Sequence, residues 1–364
     1  MQLGEKWEKQ LELHASYLTL DYLREKFSLK LGATNLLINA SFLPNPELIV
    51  QVNQLKPGEG LKIKSDWIAL LINEDLVTKP QLWDKQIKGT QVSMPLNHIT
   101  RLWDILNFNA AEIEQDFQLI TKNRISAKLP KTTRLIGAKP CFIEDGAIIN
   151  AACINTSNGS VYIGKNAELM EGSVIRGPFA IGESSQVKMG TKIYGPVSVG
   201  PYCKIGGEIN SSIIIGYSSK AHDGFLGHSI IGEWCNLGAD TNNSNLKNNY
   251  ASVKLWNYSL ENFESTGLTF CGLFMGDHTK TSINAMFNTG TSVGVSSNIF
   301  GNGFPPTFIP SFTWGGINSE KTYHVEAAIK VAEKVMARRN LVMEDQDKNI
   351  LRHIFVLTNN HRKY

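Results

Sequence analysis

Eight aliphatic residues recur at a strict spacing of six: Ile163, Leu169, Ile175, Ile181, Val187, Ile193, Val199 and Ile205. Helices and flat strands repeat at 3.6 and 2 residues, so neither produces that interval. The position four residues after each aliphatic is mostly small: Ala167, Ser173, Ser185, Thr191, Val197 and Cys203, with Phe179 and Ile209 larger. Gly164, Gly182, Gly200 and Gly206 directly follow their aliphatics. This is the signature of a hexapeptide-repeat β-helix. Each hexad supplies one short strand and one corner, and three hexads close a triangular coil. The same side then returns every eighteen residues, and the aliphatics stack into one core.

The period continues with interruptions. Ile143 and Ile149 precede the run; Ile215-Gly216, Ile231-Gly232, Leu237-Gly238, Phe287, Val293-Gly294 and Ile299 follow it. Coils are therefore expected from about Cys141 to Gly301, with loops expelled between Ile215 and Ile231 and between Leu237 and about Phe270. On this ruler Lys192 and Asn210, eighteen residues apart, stack on one face.

The remainder has a different texture. Residues 1–130 mix helical patterns (Glu5–His14, Asp21–Leu29, a Pro-led helix through Val52, Ile99–Asn107, Ala110–Ile120) with strand-like runs at Asn35–Ala40, Leu61–Lys64 and Trp67–Ile72. That mixture points to an α/β layer domain. It opens in helix with no preceding strand, so it is expected to be truncated or degenerate. Residues 131–140 read as a linker, 141–318 as the coils and 319–364 as a helical cap. The cap has helices over Glu320–Arg339 and Asp345–Leu357, which need only close the end of a solenoid.

The net charge of +3, with 19% charged residues, is too balanced for a nucleic-acid partner. The cysteines (Cys141, Cys153, Cys203, Cys235, Cys271) all lie in the repeat and form no CxxC pair, which suits reduced thiols and a cytoplasmic protein. No apolar run is long enough for a bilayer, and no membrane partner is expected.

Chemistry is expected where the repeat breaks. In Lys220-Ala221-His222-Asp223-Gly224-Phe225-Leu226-Gly227-His228, a histidine in a polar, glycine-flanked segment can serve as a general base near neutral pH. A solvated surface turn is the plainer reading of the same residues. Adjacent residues in extended chain point to opposite faces, so Asp223 does not automatically orient His222. The asparagine-rich run from Asn236 to Asn249 reads either as turn-forming residues or as amide donors and acceptors for sugar hydroxyls.

At these residues the chain resembles the acetyltransferase domain of the bifunctional N-acetylglucosamine-1-phosphate uridyltransferase/glucosamine-1-phosphate acetyltransferase family. As a whole it resembles the bacterial GlmU-like sugar nucleotidyltransferase/acyltransferase proteins. The resemblance implies a left-handed parallel β-helix, although the general crossover rule favours the right hand. It also implies a homotrimer, with acyl-CoA sites between neighbouring coils. The fold class expected is thus multidomain α+β: a degenerate nucleotidyltransferase-like domain, a left-handed β-helix and C-terminal helices.

The family's H-x-x-[YF]-[LV]-G pattern matches His222, Phe225, Leu226 and Gly227, which makes His222 the base that takes the proton from the attacking group. Its N-[IL]-G-A-G-T falls on Asn236-Leu237-Gly238-Ala239-Asp240-Thr241, with Asp240 in place of the second glycine. The backbone of Ala239 would then lie near the thioester, with Thr241 beside the cofactor. Lys192, Glu208, Asn210, Phe225, Asn236 and Asn245 would meet the acceptor sugar, Lys192 through a phosphate. Asn210 lacks the charge that the family carries there, so the acceptor need not be glucosamine-1-phosphate.

A nucleotidyltransferase needs a glycine-rich phosphate cradle and carboxylates for Mg²⁺. Residues 1–130 contain no such loop, and Asn39-Ala40-Ser41 stands where active relatives carry a metal-binding aspartate. No metal site is expected, and Mg²⁺ enters only if nucleotidyl transfer proves to be the activity. The leading expectation is acetyl-CoA-dependent acyl transfer to a sugar phosphate or nucleotide-sugar. Nucleotidyl transfer and a non-catalytic, trimeric sugar-nucleotide-binding scaffold are the alternatives.

Overall fold

The computed structural model describes residues 1–316 and 320–363. The expected boundary between coils and cap, at 318 and 319, lies outside the described residues. The chain divides into two compact units, Met1–Ile105 and Leu106–Tyr364. Among the described residues no helix is long and apolar enough to cross a membrane.

The first unit is built on a four-stranded sheet in the order Thr34–Ile38, Asp66–Asn73, Glu59–Ile63, Lys88–Gln91. The last strand joins its neighbour in parallel and the other pairings are antiparallel. Helix Pro46–Asn53 starts where expected: Pro46 opens it and the Asn45 side chain accepts a hydrogen bond from Leu48 N at 2.8 Å. Helix Leu3–Leu11 buries Trp7, whose indole donates to Phe42 O at 3.1 Å. The helix expected over Asp21–Leu29 shrinks to a 3₁₀ turn at Asp21–Leu23. Phe27 stays exposed and Leu23 is only partly covered, and a short helix without a packed face is not self-sustaining. The two helices expected between 99 and 120 are one, Leu102–Thr121, since no glycine or proline interrupts them.

The second unit is a left-handed parallel β-helix of about ten turns. Its first side stacks Ile148–Ile149, Glu168–Leu169, Gln186–Val187, Lys204–Ile205 and Ser219–Lys220. The second side stacks six strands, from Arg134–Ile136 to Phe225–Gly227, and the third stacks nine, from Cys141–Ile143 to Phe308–Ile309. All eight residues of the six-residue period are buried, none more than 4% exposed. The glycine after the aliphatic is steric in origin: a Cβ on Gly182 would sit 2.7 Å from the Gly200 carbonyl carbon in the next coil.

Several expectations change. The segment read as a linker, 131–140, contributes the strand Arg134–Ile136, paired in parallel with Cys153–Asn155. Ile214, not Ile215, enters the core, because Val199 pairs with Ile214 and Ile215 turns outward. Residues 216–230 are not an expelled loop. They form a coil, with Ser219–Lys220 on side one and Phe225–Gly227 on side two. The second interruption does leave the coil, as an antiparallel hairpin of Lys254–Asn257 and Asn262–Ser265, before the chain re-enters at Leu273–Met275.

Lys192 faces Glu208 rather than Asn210, which stacks on Tyr194. The corner Gly206-Gly207 is two residues short, so that coil closes in sixteen. The terminal helices, Val325–Ala337 and Asp345–Leu357, do more than close an end. Ala328, Ile329, Ala332, Met336 and Leu351 pack with Trp234, Tyr217, Val295 and Phe312, along one corner of successive coils.

Candidate active site

His222 stands at the corner between sides one and two and is exposed to solvent. Ser219 bridges Asn236 in the following coil, a register of seventeen that sets His222 level with Ala239. Asp240 N confirms the stacking by donating to Asp223 O at 3.0 Å. Beneath lies Gly206-Gly207, where a Cβ on Gly207, already at φ +77°, would meet His222 O at 3.0 Å. The two residues expected to carry catalysis therefore occupy stacked corners. Asp223 makes no side-chain hydrogen bond to His222 among the described residues.

Side two brings most of the expected substrate residues onto one wall. Lys192, Glu208 and Phe225 lie in register in one outward column, with Tyr194, Asn210 and Gly227 in the next. Tyr194 Oη donates to Glu208 Oε1 at 2.5 Å, which pushes its phenol up to about 12 and leaves the carboxylate partnered. The Asn210 side chain accepts from Ser211 Oγ at 2.7 Å. Among the described residues the wall thus carries the Lys192 ammonium, the Asn210 amide and the Phe225 ring.

The asparagine run divides into two kinds. Asn242 Oδ1 accepts from Phe225 N at 2.7 Å, and buried Asn243 exchanges hydrogen bonds with Gly227 N and O, so both replace strand backbone. Asn245 is held by His228 Nδ1 at 2.9 Å, while the His228 ring stacks on Phe270 at 5.1 Å and lies close to parallel with it. Burial lowers the His228 pKa. Asn236 is exposed on side one, around the corner from Lys192 and Phe225, so the structure does not bring it to the wall. Thr241 is buried; its hydroxyl bonds Gly238 O at 2.8 Å and Thr281 Oγ1 at 2.9 Å, which makes its side chain a brace of the corner.

Three residues of this region escaped the sequence reading. Tyr194 was hidden because the shortened coil moved it into the place assumed for Lys192. His228 adopts φ +47°, a conformation with no sequence marker other than context. Lys220 had a signal, since it falls fifteen residues after Ile205 and six before Leu226, inside a column that is otherwise aliphatic from Ile149 to Leu237. The five thiols are all free, and burial pushes Cys203, Cys235 and Cys271 up to about 12, so none of these three is poised as a nucleophile. Among the described residues no group of three or more His, Cys, Asp or Glu side chains is gathered to hold a metal ion.

Residues 1–125 match a family model described as sugar nucleotidyl transferase. The bifunctional protein GlmU of Methanococcus aeolicus is 28% identical over 278 residues, covering 73% of this chain and 56% of that one. The protein of the same name from Methanocaldococcus jannaschii is 38% identical over 87 residues, 24% of this chain and 21% of its own. Over these spans the chain is similar to GlmU-like hexapeptide-repeat proteins. It spans about a fifth and about half of the length of these two curated relatives. Among solved structures, an Arabidopsis UDP-N-acetylglucosamine acyltransferase aligns over 59% of this chain and 78% of its own, at 15% identity. Its TM-score of 0.29 gives that likeness no weight.

The first unit carries an open cleft of about 790 Å³, lined among others by Trp7, Tyr17, Lys30, Asn39, Trp67 and Trp83. Asn39, first of the Asn39-Ala40-Ser41 segment where the resemblance would put a metal-binding aspartate, is committed to its own turn. Its Oδ1 accepts from Ser41 N at 3.1 Å and Ser41 Oγ at 2.6 Å, and its amide donates to Trp67 O. The side chain there acts as a turn brace.

Proposed function

We propose that the protein transfers an acyl group, most simply acetyl, from coenzyme A to an amine or hydroxyl of a sugar phosphate or nucleotide-sugar. The stacking of the His222 corner directly against the Ala239 corner carries this reading. In it, the acceptor lies on side two, with Lys192 toward its phosphate and Phe225 and Asn245 toward the sugar. His222 takes the proton of the attacking group, the Ala239 amide steadies the thioester oxygen as charge develops, and the coenzyme A thiol leaves. Positioning supplies much of the acceleration, since the thioester is already activated. The likeness to GlmU proteins and the run of motif residues from His222 to Asn245 support it.

The test is release of coenzyme A thiol from acetyl-CoA in the presence of a panel of amino sugars, sugar 1-phosphates and nucleotide-sugars. Acceptor-dependent release that disappears with His222→Ala is expected. Release that His222→Ala leaves at the wild-type rate would overturn the role of the base.

A second reading, nucleotidyl transfer, draws on the match of residues 1–125 to the sugar nucleotidyl transferase model. It predicts pyrophosphate release from a nucleoside triphosphate and a sugar 1-phosphate, dependent on Mg²⁺. The absence of a glycine-rich cradle and the turn-bracing role of Asn39 weigh against it.

A further inference from the structure

The inward column of side one runs Ile149, Leu169, Val187, Ile205, and is then occupied by Lys220 before Leu237 resumes it. Lys220 is only 2% exposed. An ammonium has three protons to donate and cannot be buried with them unpaired. Here Nζ reaches three backbone carbonyls: Gly206 O at 3.3 Å, His222 O at 2.5 Å and Asp223 O at 3.1 Å. One cation thus ties two stacked corners together from within, and one of its acceptors is the carbonyl of His222 itself. A related tether sits in the outward column of side one, where Lys280 Nζ bonds His278 O at 2.6 Å and Trp234 O at 3.2 Å. There the histidine stacks on Trp234, 6.3 Å between ring centroids, within the aromatic corner column.

We propose that Lys220 is a positioning residue, fixing the backbone of the His222 corner from inside the coil so that the imidazole is presented at a constant place and angle. This rests on the acyl-transfer reading in which His222 is the base. The charged groups facing the ammonium are the carboxylates of Asp223 on its own corner and Asp240 on the coil above; the corner below, Gly206-Gly207, brings none. Burial outweighs those carboxylates and brings the lysine down to about 8, so the tether is charged below that pH and weakens above it.

The test is Lys220→Met, which keeps an unbranched chain in the aliphatic column but cannot donate. Two quantities are read: steady-state kinetics with acetyl-CoA and the best acceptor, and hydrogen–deuterium exchange of amides 221–224, corrected for intrinsic rates. The expected result is a loss on the order of 10²-fold in kcat, the scale of a misplaced catalytic group, with KM for acetyl-CoA little changed. Exchange should be faster at 221–224, and the alkaline fall in kcat centred near pH 8 in the wild type should be absent. Lys280→Met, which frees a different corner, should leave kcat unchanged. Wild-type kcat and wild-type protection in Lys220→Met would overturn the proposal.

If the wild type transfers no acyl group while protection at 221–224 still depends on Lys220, the acyl-transfer reading fails and the tether stands. If Lys220→Met does not fold, the wild type decides. Protection at 221–224 should fall as pH rises through 8, relative to the corner 170–172 above Leu169. Protection that stays level across that range would overturn the tether.

Discussion

His222 touches solvent and supports nothing in the core, so His222→Ala should leave the melting temperature unchanged while lowering kcat ~10²–10⁴-fold. The measurement pairs calorimetry with acetyl-CoA turnover. His228→Ala tests the wall. Without the ring, Asn245 loses its partner at 2.9 Å and Phe270 loses its stack, so KM for the acceptor should rise more than kcat falls. An equal loss of both would place His228 in the chemistry instead.

Lys220 has a consequence for stability as well. Its pKa is lowered by burial to about 8 in the folded chain, against ~10.4 for a free lysine, so the unfolded chain binds the proton more tightly. Stability against global unfolding, which releases the ammonium to water, therefore rises as pH climbs from about 8 to ~10.4, whereas opening of the corner alone leaves the lysine inside the coil without its carbonyls and follows the opposite course. Urea midpoints of the wild type should show that rise relative to Lys220→Met. Removing an internal charge is itself neutral or stabilising in many proteins. The motif around His222 was readable because it is local in sequence. Asn236 and Thr241 were not separable from it by sequence, because alternation across a corner decides which of two near neighbours faces out.

The coil is the element that was most plainly written in the chain. Each aliphatic of the six-residue period is buried, so a large-to-small change such as Ile193→Ala should cost ~2–5 kcal/mol by urea unfolding. The count failed where corners lose residues, since a strict period assigns the wrong residue after each omission. Ile205 to Ile209 is four residues and Ile209 to Ile214 is five, which is why Ile215 was taken for Ile214 and Asn210 for the partner of Lys192. Backbone register decides such places, and it depends on contacts with the coil beneath. The terminal helices were legible as helices, Asp345–Leu357 to the residue, but their docking surface was not. Tyr217, Trp234 and Phe312 carry no common spacing that would announce a shared corner.

As a whole the chain places a sheet-based unit before a long solenoid, and the change in texture along the sequence was enough to expect both. The trimer implied by the family is a property of the assembled protein. Sedimentation equilibrium should give about 121 kDa, three times the 40.4 kDa chain. A value near one chain would overturn the homotrimer.

One corner of the solenoid holds a left-handed residue in each coil: Asn166, Ser184, Tyr202, Tyr217, Trp234, His278, Ser296 and Phe312. From Tyr202 to His278 the rings lie face to face, at centroid spacings of 5.1, 4.3 and 6.3 Å. The column begins with small polar side chains and is aromatic from Tyr202 to His278 and again at Phe312, and Tyr217, Trp234 and Phe312 carry the terminal helices. Growth by tandem duplication is therefore not equally open along the molecule. A copied hexad triplet among the early coils would lengthen the prism and leave the ladder whole. The same copy inserted between Tyr217 and Trp234 would part the stack and strand the helices, so descendants of this chain should vary in length ahead of Tyr202 and hold their count after it.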